Sequence, residues 1–214
     1  MINVLFVLVA YLLGSIPFSY LLGILIKGQD IRQLGSGNLG ATNAFRVFGK
    51  PVGMTVAILD TLKSGLLVFL IKDTSLFSSF DLWNPLIFGF ASVLGHCFPV
   101  WFRFKGGKGV ATSFGLILAY NPWIGLVIFS VFLICEIVTR YVSVSSTIAS
   151  LSMFLLAVIL HFAWHEDIAL VIITFLAVSV IIYRHQTNYK RLKLGTENKV
   201  KWLDPLDNFF QKRK

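Results

Sequence analysis

The sequence predicts an all-α integral membrane protein, a polytopic helical bundle with seven helical segments. Hydrophobic residues make up 56% of the 214 positions and charged residues 14%, and the mean hydropathy is +0.78. These values lie outside the usual range of soluble domains. Six long apolar stretches also cover most of the chain, and most of them approach the roughly 20 residues that a spanning helix needs. These stretches are 2–26, 51–72, 84–102, 109–139, 142–161 and 168–183.

The first apolar stretch is predicted to be a retained spanning helix. A cleaved signal peptide begins with a basic region, whereas the first cation of this chain is Lys27, which follows the stretch. Because cations favour the cytoplasmic side of a membrane, Lys27 is expected inside and the N-terminus outside.

The stretch 109–139 is predicted to be a broken helix pair, and the other five stretches are predicted to cross once each. Asn121-Pro122 interrupts it, and proline removes a helical hydrogen bond and restricts the residue before it. Basic residues lie at both ends, in 103–108 and at Arg140, so both ends are expected inside. Two helices that fold back at the break satisfy this condition, which gives five full crossings plus the broken pair.

The remaining loops complete the predicted topology. Segment 161–167 contains Glu166 and Asp167 but no Lys or Arg, so it is expected outside. The strongly basic region after residue 183 is expected in the cytoplasm together with the C-terminus. Three polar clusters, in 27–50, 103–108 and 184–193, then fall on one side and can form one site. Residues 1–198 are predicted to form a single membrane-embedded domain, followed by a polar cytoplasmic tail, 199–214.

The net charge of +9 favours anionic partners. The cations lie in short segments at membrane borders, where they orient the protein and meet the lipid bilayer or an anionic substrate. Nucleic acid is therefore not expected. Cys97 and Cys135 lie in apolar surroundings and are predicted to be buried thiols. The sequence shows no metal-ligand cluster, so neither a metal nor a cofactor is expected.

The first polar cluster is GSGNLGATNAFR, residues 35–46. Its glycines permit tight turns that point backbone N–H groups into one concavity, which suits an anion. A helix beginning near Asn38 would place Thr42 and Arg46 on one face. The GxGxxG spacing follows no predicted strand, so dinucleotide binding is not expected. An ordinary glycine-rich loop remains the alternative. The candidate residues are Gly35, Ser36, Gly37, Asn38, Gly40, Thr42, Asn43 and Arg46.

The second cluster, FKGGKGVAT (residues 104–112), opens the first helix of the broken pair. Backbone donors, a helix N-terminus and two lysines together suit a phosphate group. The spacing differs from that of a nucleotide-binding P-loop. The alternative is a basic loop that only orients the protein. The candidates are Lys105, Gly106, Gly107, Lys108, Gly109 and Thr112.

The third cluster lies at the end of the last apolar stretch and contains Arg184, His185 and Asn188. His185 and Asn188 are three residues apart and can share one helix face. They suit a catalytic site, although the neighbouring cations could also serve only to anchor the helix end. Asp60 and Lys63, inside the stretch 51–72, are expected to form a buried pair whose role, structural or functional, is open.

These motifs, taken in order, resemble the PlsY family of bacterial membrane glycerol-3-phosphate acyltransferases. The resemblance rests on GSGNLGATNAFR, GHCFPVWFRFKGGKGVAT (95–112), RYVSVSS (140–146) and YRHQTNYKRLKLGTEN (183–198). It implies transfer of a fatty acyl group from acyl phosphate to glycerol 3-phosphate, giving lysophosphatidic acid and phosphate. It also implies residence in the bacterial cytoplasmic (inner) membrane, an active site facing the cytoplasm, and no use of coenzyme A. Gln186 and Thr187 depart from the family pattern.

The resemblance also implies residue roles. Lys105 to Lys108 would hold glycerol phosphate, and Ser36, Asn38, Thr42 and Arg46 would cradle acyl phosphate. His185 and Asn188 would orient the attacking hydroxyl or the phosphates, with either His185 or a substrate phosphate taking the proton, and Glu197 would be structural. The expected catalytic residues are Ser36, Asn38, Arg46, Lys105, His185 and Asn188, and the expected substrate-binding residues are Gly35, Gly37, Gly40, Thr42, Asn43, Gly106, Gly107, Lys108, Gly109, Thr112 and Arg184. The alternative function is an anion or phosphate transporter, which often contains paired repeats with matching broken helices. Only one broken pair is visible in this sequence.

Overall fold

The computed structural model describes residues 1–200, and within that range all the regular structure is helical. Most of the predicted tail, residues 201–214, lies outside the described residues. The ten α-helices of the described range are α1 Ile2–Gly14, α2 Phe18–Lys27, α3 Ala41–Phe48, α4 Lys50–Asp73, α5 Pro85–Cys97, α6 Val110–Tyr120, α7 Pro122–Thr139, α8 Val142–Trp164, α9 Ile168–Arg184 and α10 Gln186–Lys193. Two short 3-10 helices cover Ile31–Gln33 and Val100–Phe102.

The seven predicted apolar segments are all present, which confirms the class of the fold. Five segments are long and apolar enough to span a membrane: Ile2–Lys27, Lys50–Asp73, Pro85–Phe102, Pro122–Thr139 and Val142–Trp164. Helices α9 and α10 form a further candidate that bends by 51°, and α6 is a shorter apolar helix. The first segment differs from one continuous helix because it breaks between Gly14 and Phe18, where Pro17 lacks a backbone N–H.

Helices α6 and α7 form the predicted broken pair. The Asn121 side chain accepts hydrogen bonds from the N–H groups of Trp123 and Ile124 and so caps α7. The rings of Phe114 and Phe129 lie 5.4 Å apart, and Gly125 packs against Leu118. In each contact the two residues are equally far along the sequence from the break at Asn121-Pro122. Helix α7 therefore runs back along α6. The two outer ends of the pair therefore lie at the same end of the bundle.

Close contacts between small residues position α4 and α6. A Cβ atom at Gly115 would lie 2.0 Å from the Thr61 carbonyl oxygen, and Gly65 approaches the backbone of Gly115. The Ser64 hydroxyl donates a hydrogen bond to the Thr112 carbonyl. Such contacts are typical of helices in lipid, where apolar surfaces gain little by facing each other. This packing fixes the beginning of α6 beside α4, and Gly109, just before α6, packs against Cys97 at the end of α5.

Candidate active site

The three polar clusters meet at one end of the bundle. Asn38 Nδ2 donates to the Gly106 carbonyl at 3.4 Å, which joins the first cluster to the second. Arg184 Nη2 donates to the same carbonyl at 2.7 Å, and Lys108 Nζ donates to Asn188 Oδ1, so the third cluster joins them. The arrangement agrees with the predicted topology, which places all three clusters on one side.

Asn43 organises the loop of the first cluster. Its side chain is only 2% exposed. Its Oδ1 accepts from the Ser36 N–H at 2.9 Å, and its Nδ2 donates to the carbonyls of Leu34 and Asn38 at 3.1 Å. Gly35 packs against it with a φ of +60°, a conformation that favours glycine. The structure therefore places Asn43 inside the loop as its support rather than at an open substrate surface, contrary to its expected role.

The exposed side of the same cluster carries uncommitted donors. The side chains of Ser36, Thr42 and Arg46 are exposed, and none has a hydrogen bond or ion pair with another residue in 1–200. Thr42 and Arg46 lie one turn apart on α3, as predicted. No side chain among the described residues caps the N-terminus of α3 at Gly40. This surface can bind an anionic group.

The N–H groups of Gly106 and Gly107 do not face an open anion site. Gly106 N–H donates to the Cys97 carbonyl at 3.2 Å, and Gly107 N–H donates to the His96 carbonyl at 3.0 Å. Both N–H groups, expected to hold phosphate, therefore already have partners within the protein. Glycine is required here for space, because a Cβ atom at Gly107 would lie 1.9 Å from His96 Nε2.

Arg184 holds the glycine loop from the opposite side. Its Nε donates to the Gly107 carbonyl at 2.9 Å, in addition to the bond from Nη2 to Gly106. Its guanidinium also lies over the Phe98 ring, 5.4 Å from the centroid. Arg184, expected to bind substrate, thus shapes the loop that presents Lys105 and Lys108.

Helix α6 begins where the glycine loop ends. Gly109, with a φ of +80°, precedes the first turn, and within 1–200 no side chain caps that end. Thr112 differs from its expected substrate-binding role because it is fully buried in the interface with α4. Lys105 is exposed beside the loop and makes no side-chain hydrogen bond to any described residue. The groups of this cluster that remain open to an anion are therefore Lys105, Lys108 and the first turn of α6.

Lys108 lies in an electropositive environment. Burial lowers its pKa to about 8, and the positive charges of Arg191, Arg184 and Arg46 act in the same direction against the opposing effect of Glu197. A lysine whose charged form is destabilised in this way gains from a nearby anion. The site thus favours a group with two negative charges, such as a phosphate ester.

Glu197 supports the third cluster, in agreement with the structural role expected for it. Its carboxylate accepts hydrogen bonds from Asn188 Nδ2 at 2.6 Å, Arg191 Nε at 2.7 Å and Ser143 Oγ at 3.0 Å. Burial alone would raise its pKa, but these hydrogen bonds lower it. The ionised carboxylate therefore fixes Asn188, which in turn contacts Lys108.

His185 lies at the bend between α9 and α10 and is 2% exposed. Its Nδ1 is 2.8 Å from the Ile181 carbonyl oxygen, which can only accept, so Nδ1 carries a proton. In the neutral ring, Nε2 then has a free electron pair. The ring stacks on Tyr189 with a centroid separation of 6.2 Å. His185 is thus held in one orientation with Nε2 able to accept a proton.

Comparison with known proteins identifies the family of this chain. The family model described as glycerol-3-phosphate acyltransferase matches residues 4–195. The chain belongs to the glycerol-3-phosphate acyltransferase family. The glycerol-3-phosphate acyltransferase of Bacillus subtilis is 44% identical over 203 residues, covering 95% of this chain and all of the relative. That of Geobacillus kaustophilus is 46% identical over 198 residues, covering 92% and 96%.

Solved structures of the family agree with the fold. The crystal structure of PlsY, an integral membrane glycerol 3-phosphate acyltransferase, in its glycerol 3-phosphate form has a TM-score of 0.84 to this chain. The lysophosphatidic acid form has a TM-score of 0.82. Both are 39% identical in sequence and cover 96% of this chain and 99% of the crystallised one. The resemblance to the PlsY family is therefore confirmed.

Sequence reasoning did not locate the partners of one residue beside the candidate site. The His96 carbonyl accepts from the glycine loop, and its ring contacts the buried pair Asp60–Lys63. The separation of three residues between Asp60 and Lys63 indicated their pairing. Nothing in the sequence indicated that His96, 33 residues further on, completes the network.

Proposed function

We propose that this membrane glycerol-3-phosphate acyltransferase takes its acyl group from acyl phosphate. The glycerol hydroxyl oxygen forms a bond to the acyl carbonyl carbon, the bond between that carbon and the phosphate oxygen breaks, and inorganic phosphate leaves with lysophosphatidic acid as the product. The observation that carries the proposal is the convergence of three clusters into one cationic site. Both substrates have a phosphate group, and the site has separate surfaces for each.

The geometry supports a division of roles. Ser36, Thr42 and Arg46 offer uncommitted donors to acyl phosphate, and Asn38 links this surface to the glycine loop. Lys105, Lys108 and the first turn of α6 offer a second surface to glycerol 3-phosphate. Two such surfaces can stabilise the negative charge that develops during acyl transfer. This division assigns structural roles to Gly35, Gly37, Gly40, Asn43, Gly106, Gly107, Gly109, Thr112 and Arg184.

His185 and Asn188 complete the proposed machinery. Asn188 contacts Lys108, and His185 lies three residues before it with Nε2 free to accept a proton. We assign to this pair the orientation of the attacking hydroxyl and to His185 the acceptance of its proton. Burial and the charge of Lys108 lower the pKa of His185 to about 4, so it is a weak base. Acyl phosphate already has a good leaving group, so a weak base is sufficient.

A donor competition tests the function. The protein, purified in detergent, is supplied with glycerol 3-phosphate and either acyl phosphate or acyl-coenzyme A, and lysophosphatidic acid and phosphate are measured. We expect product from acyl phosphate and little or none from acyl-coenzyme A, because the clusters are short and match no nucleotide-binding motif. Phosphate release should require both substrates. Efficient use of acyl-coenzyme A with acyl phosphate inert would contradict the proposed donor, and a requirement for sealed vesicles would instead favour a transporter.

We propose that the site faces the cytoplasm of a bacterial inner membrane, with the N-terminus outside. Basic residues crowd the end of the bundle that holds the site, whereas Glu166 and Asp167 lie in the loop between α8 and α9. In a variant without Cys97 and Cys135, a cysteine at Glu166 should react with an impermeant thiol reagent in intact cells. A cysteine at Lys190 should react only after the cells are opened, and the reverse pattern would contradict this orientation. Residues 1–198 would form the single acyltransferase domain.

The low pKa of Lys108 predicts a pH dependence of substrate affinity. The phosphate dianion binds best when Lys108 is protonated. Above a pH of about 8, Lys108 of the free enzyme is mostly deprotonated, so binding of the dianion requires the uptake of a proton. KM for glycerol 3-phosphate should then rise with pH, approaching tenfold per pH unit, that is about 1.4 kcal/mol per unit. Initial rates between about pH 6.5 and about pH 9.5 measure this rise.

Lys108→Arg provides the matched control for that measurement, because arginine keeps its charge throughout this range. The variant should show a KM that is nearly constant with pH. If the wild-type protein and Lys108→Arg have the same alkaline rise in KM, the rise belongs to another group and the assignment to Lys108 fails.

A further inference from the structure

A buried ammonium with three close polar neighbours lies beneath the glycine loop. Lys63 Nζ is 2.8 Å from Asp60 Oδ1, 2.7 Å from His96 Nδ1 and 3.3 Å from the Ile16 carbonyl oxygen. The three side chains of this network are 2–6% exposed. An ammonium group has three N–H donors and no acceptor. Two donors of Lys63 form hydrogen bonds, to His96 Nδ1 and to the Ile16 carbonyl, and the contact with Asp60 Oδ1 is an ion pair without hydrogen-bond geometry. Asp60, Lys63 and His96 are called the α4–α5 network below.

The network joins two separate parts of the bundle. Ile16 lies at the break between α1 and α2, where Pro17 leaves backbone carbonyls without helical partners. Lys63 satisfies one of them, as a broken helix in a membrane requires. On its other side Lys63 holds the ring of His96, which is near the end of α5. A buried ion pair is costly to desolvate and adds little net stability. We therefore assign to this pair the role of fixing the geometry of the elements it joins.

Each side of the network leads to one substrate surface. On the α5 side, the His96 carbonyl accepts from Gly107 N–H, and the His96 ring packs against Gly107. On the α2 side, Ser19 Oγ donates to the Leu39 carbonyl at 2.8 Å, which ties the first cluster to α2. Lys63, His96, Gly107 and Leu39 all line one small cavity of about 10 Å³. The two substrate surfaces thus meet over this network.

We infer that Lys63 and His96 are positioning residues that set the separation between the two substrate-binding loops. The inference rests on the proposed assignment of those loops to the two phosphate groups. Acyl transfer needs the reacting atoms about 3–3.5 Å apart, and a displacement of about 1 Å can cost on the order of 100-fold in rate. Neither residue contacts substrate. Lys63 acts through α2 and His96, and His96 acts through Gly107.

The test replaces the ion pair as a unit. In the double variant Asp60→Asn/Lys63→Met both charges are removed, so no unpaired buried charge remains. The control is Lys72→Met/Asp73→Asn, which makes the same kind of change in an exposed ion pair on the same helix. We expect kcat/KM for glycerol 3-phosphate to fall on the order of 10- to 100-fold in the first double variant, with a raised KM, and to stay unchanged in the control.

A pair of His96 variants separates positioning from folding. Asn can place a side-chain oxygen near the position of Nδ1 and accept from Lys63, whereas Leu cannot. His96→Asn should therefore retain most of the activity that His96→Leu loses. All variants are assayed below their unfolding temperatures. A lower Tm with wild-type kcat and KM in Asp60→Asn/Lys63→Met, or equal kinetics in the two His96 variants, would overturn the inference. These rates can be measured with any acyl donor that the wild-type protein uses. Failure of the acyl-phosphate proposal can therefore be distinguished from failure of this inference.

Discussion

Arg46→Ala is expected to lower kcat/KM on the order of 10²- to 10³-fold while the protein still inserts and purifies, because its loss removes a charged donor from the site. Arg46 is exposed on α3, and its guanidinium has no hydrogen bond to any residue in the described range. Its removal therefore leaves the loop around Asn43 intact. A guanidinium can hold a phosphate with two parallel hydrogen bonds, which makes it the strongest uncommitted donor for acyl phosphate.

Two further variants make this result specific. Arg46→Lys keeps the charge but not the paired donors, and it should recover only part of the lost activity. Lys50→Ala removes an exposed cation four residues further along, at the start of α4, and should behave like the wild-type protein. Steady-state rates with both substrates varied provide the measurement. Near-normal kcat and KM in Arg46→Ala would remove this residue from the proposed site.

His185→Ala should lower kcat on the order of 10²- to 10⁴-fold, the usual contribution of a general base. Nδ1 donates to the Ile181 carbonyl, so Nε2 is the ring nitrogen that can accept a proton. The variant has no imidazole ring and therefore no such acceptor. A general base must be unprotonated, and burial lowers the pKa of His185 to about 4, so the rate should fall as the pH approaches 4. That acidic limb should disappear from the pH profile of His185→Ala.

Tyr189→Phe is the matched control for His185. It keeps the ring that stacks on His185 and removes only the hydroxyl, which contacts Thr147 at 2.8 Å. It should retain the acidic limb and most of kcat. If His185→Ala instead raises KM more than it lowers kcat and keeps the shape of the pH profile, His185 orients the substrate and a substrate phosphate takes the proton.

The fold class and the break between α6 and α7 could be predicted from the chemistry of neighbouring residues. Apolar stretches of spanning length leave a helical bundle as the way to satisfy every backbone group in lipid. Proline at position 122 cannot continue a helix, so the break after Tyr120 was predictable, and the basic residues on both sides required α6 and α7 to fold back. The break at Pro17 follows the same chemistry, but the hydropathy of 2–26 predicts one continuous helix there.

The sequence by itself thus determined a membrane bundle with three cationic clusters, because hydropathy, proline and charge act through each residue's own chemistry. Only the tertiary structure decided how the polar groups are used. Gly106 and Gly107 direct their N–H groups to α5, Arg184 reaches carbonyls 77 and 78 residues away, and His96 joins Lys63 across 33 residues. A polar group forms hydrogen bonds with the groups that the folded helices bring within about 3 Å of it. Because these partners lie far apart in the sequence, no local sequence pattern predicts them.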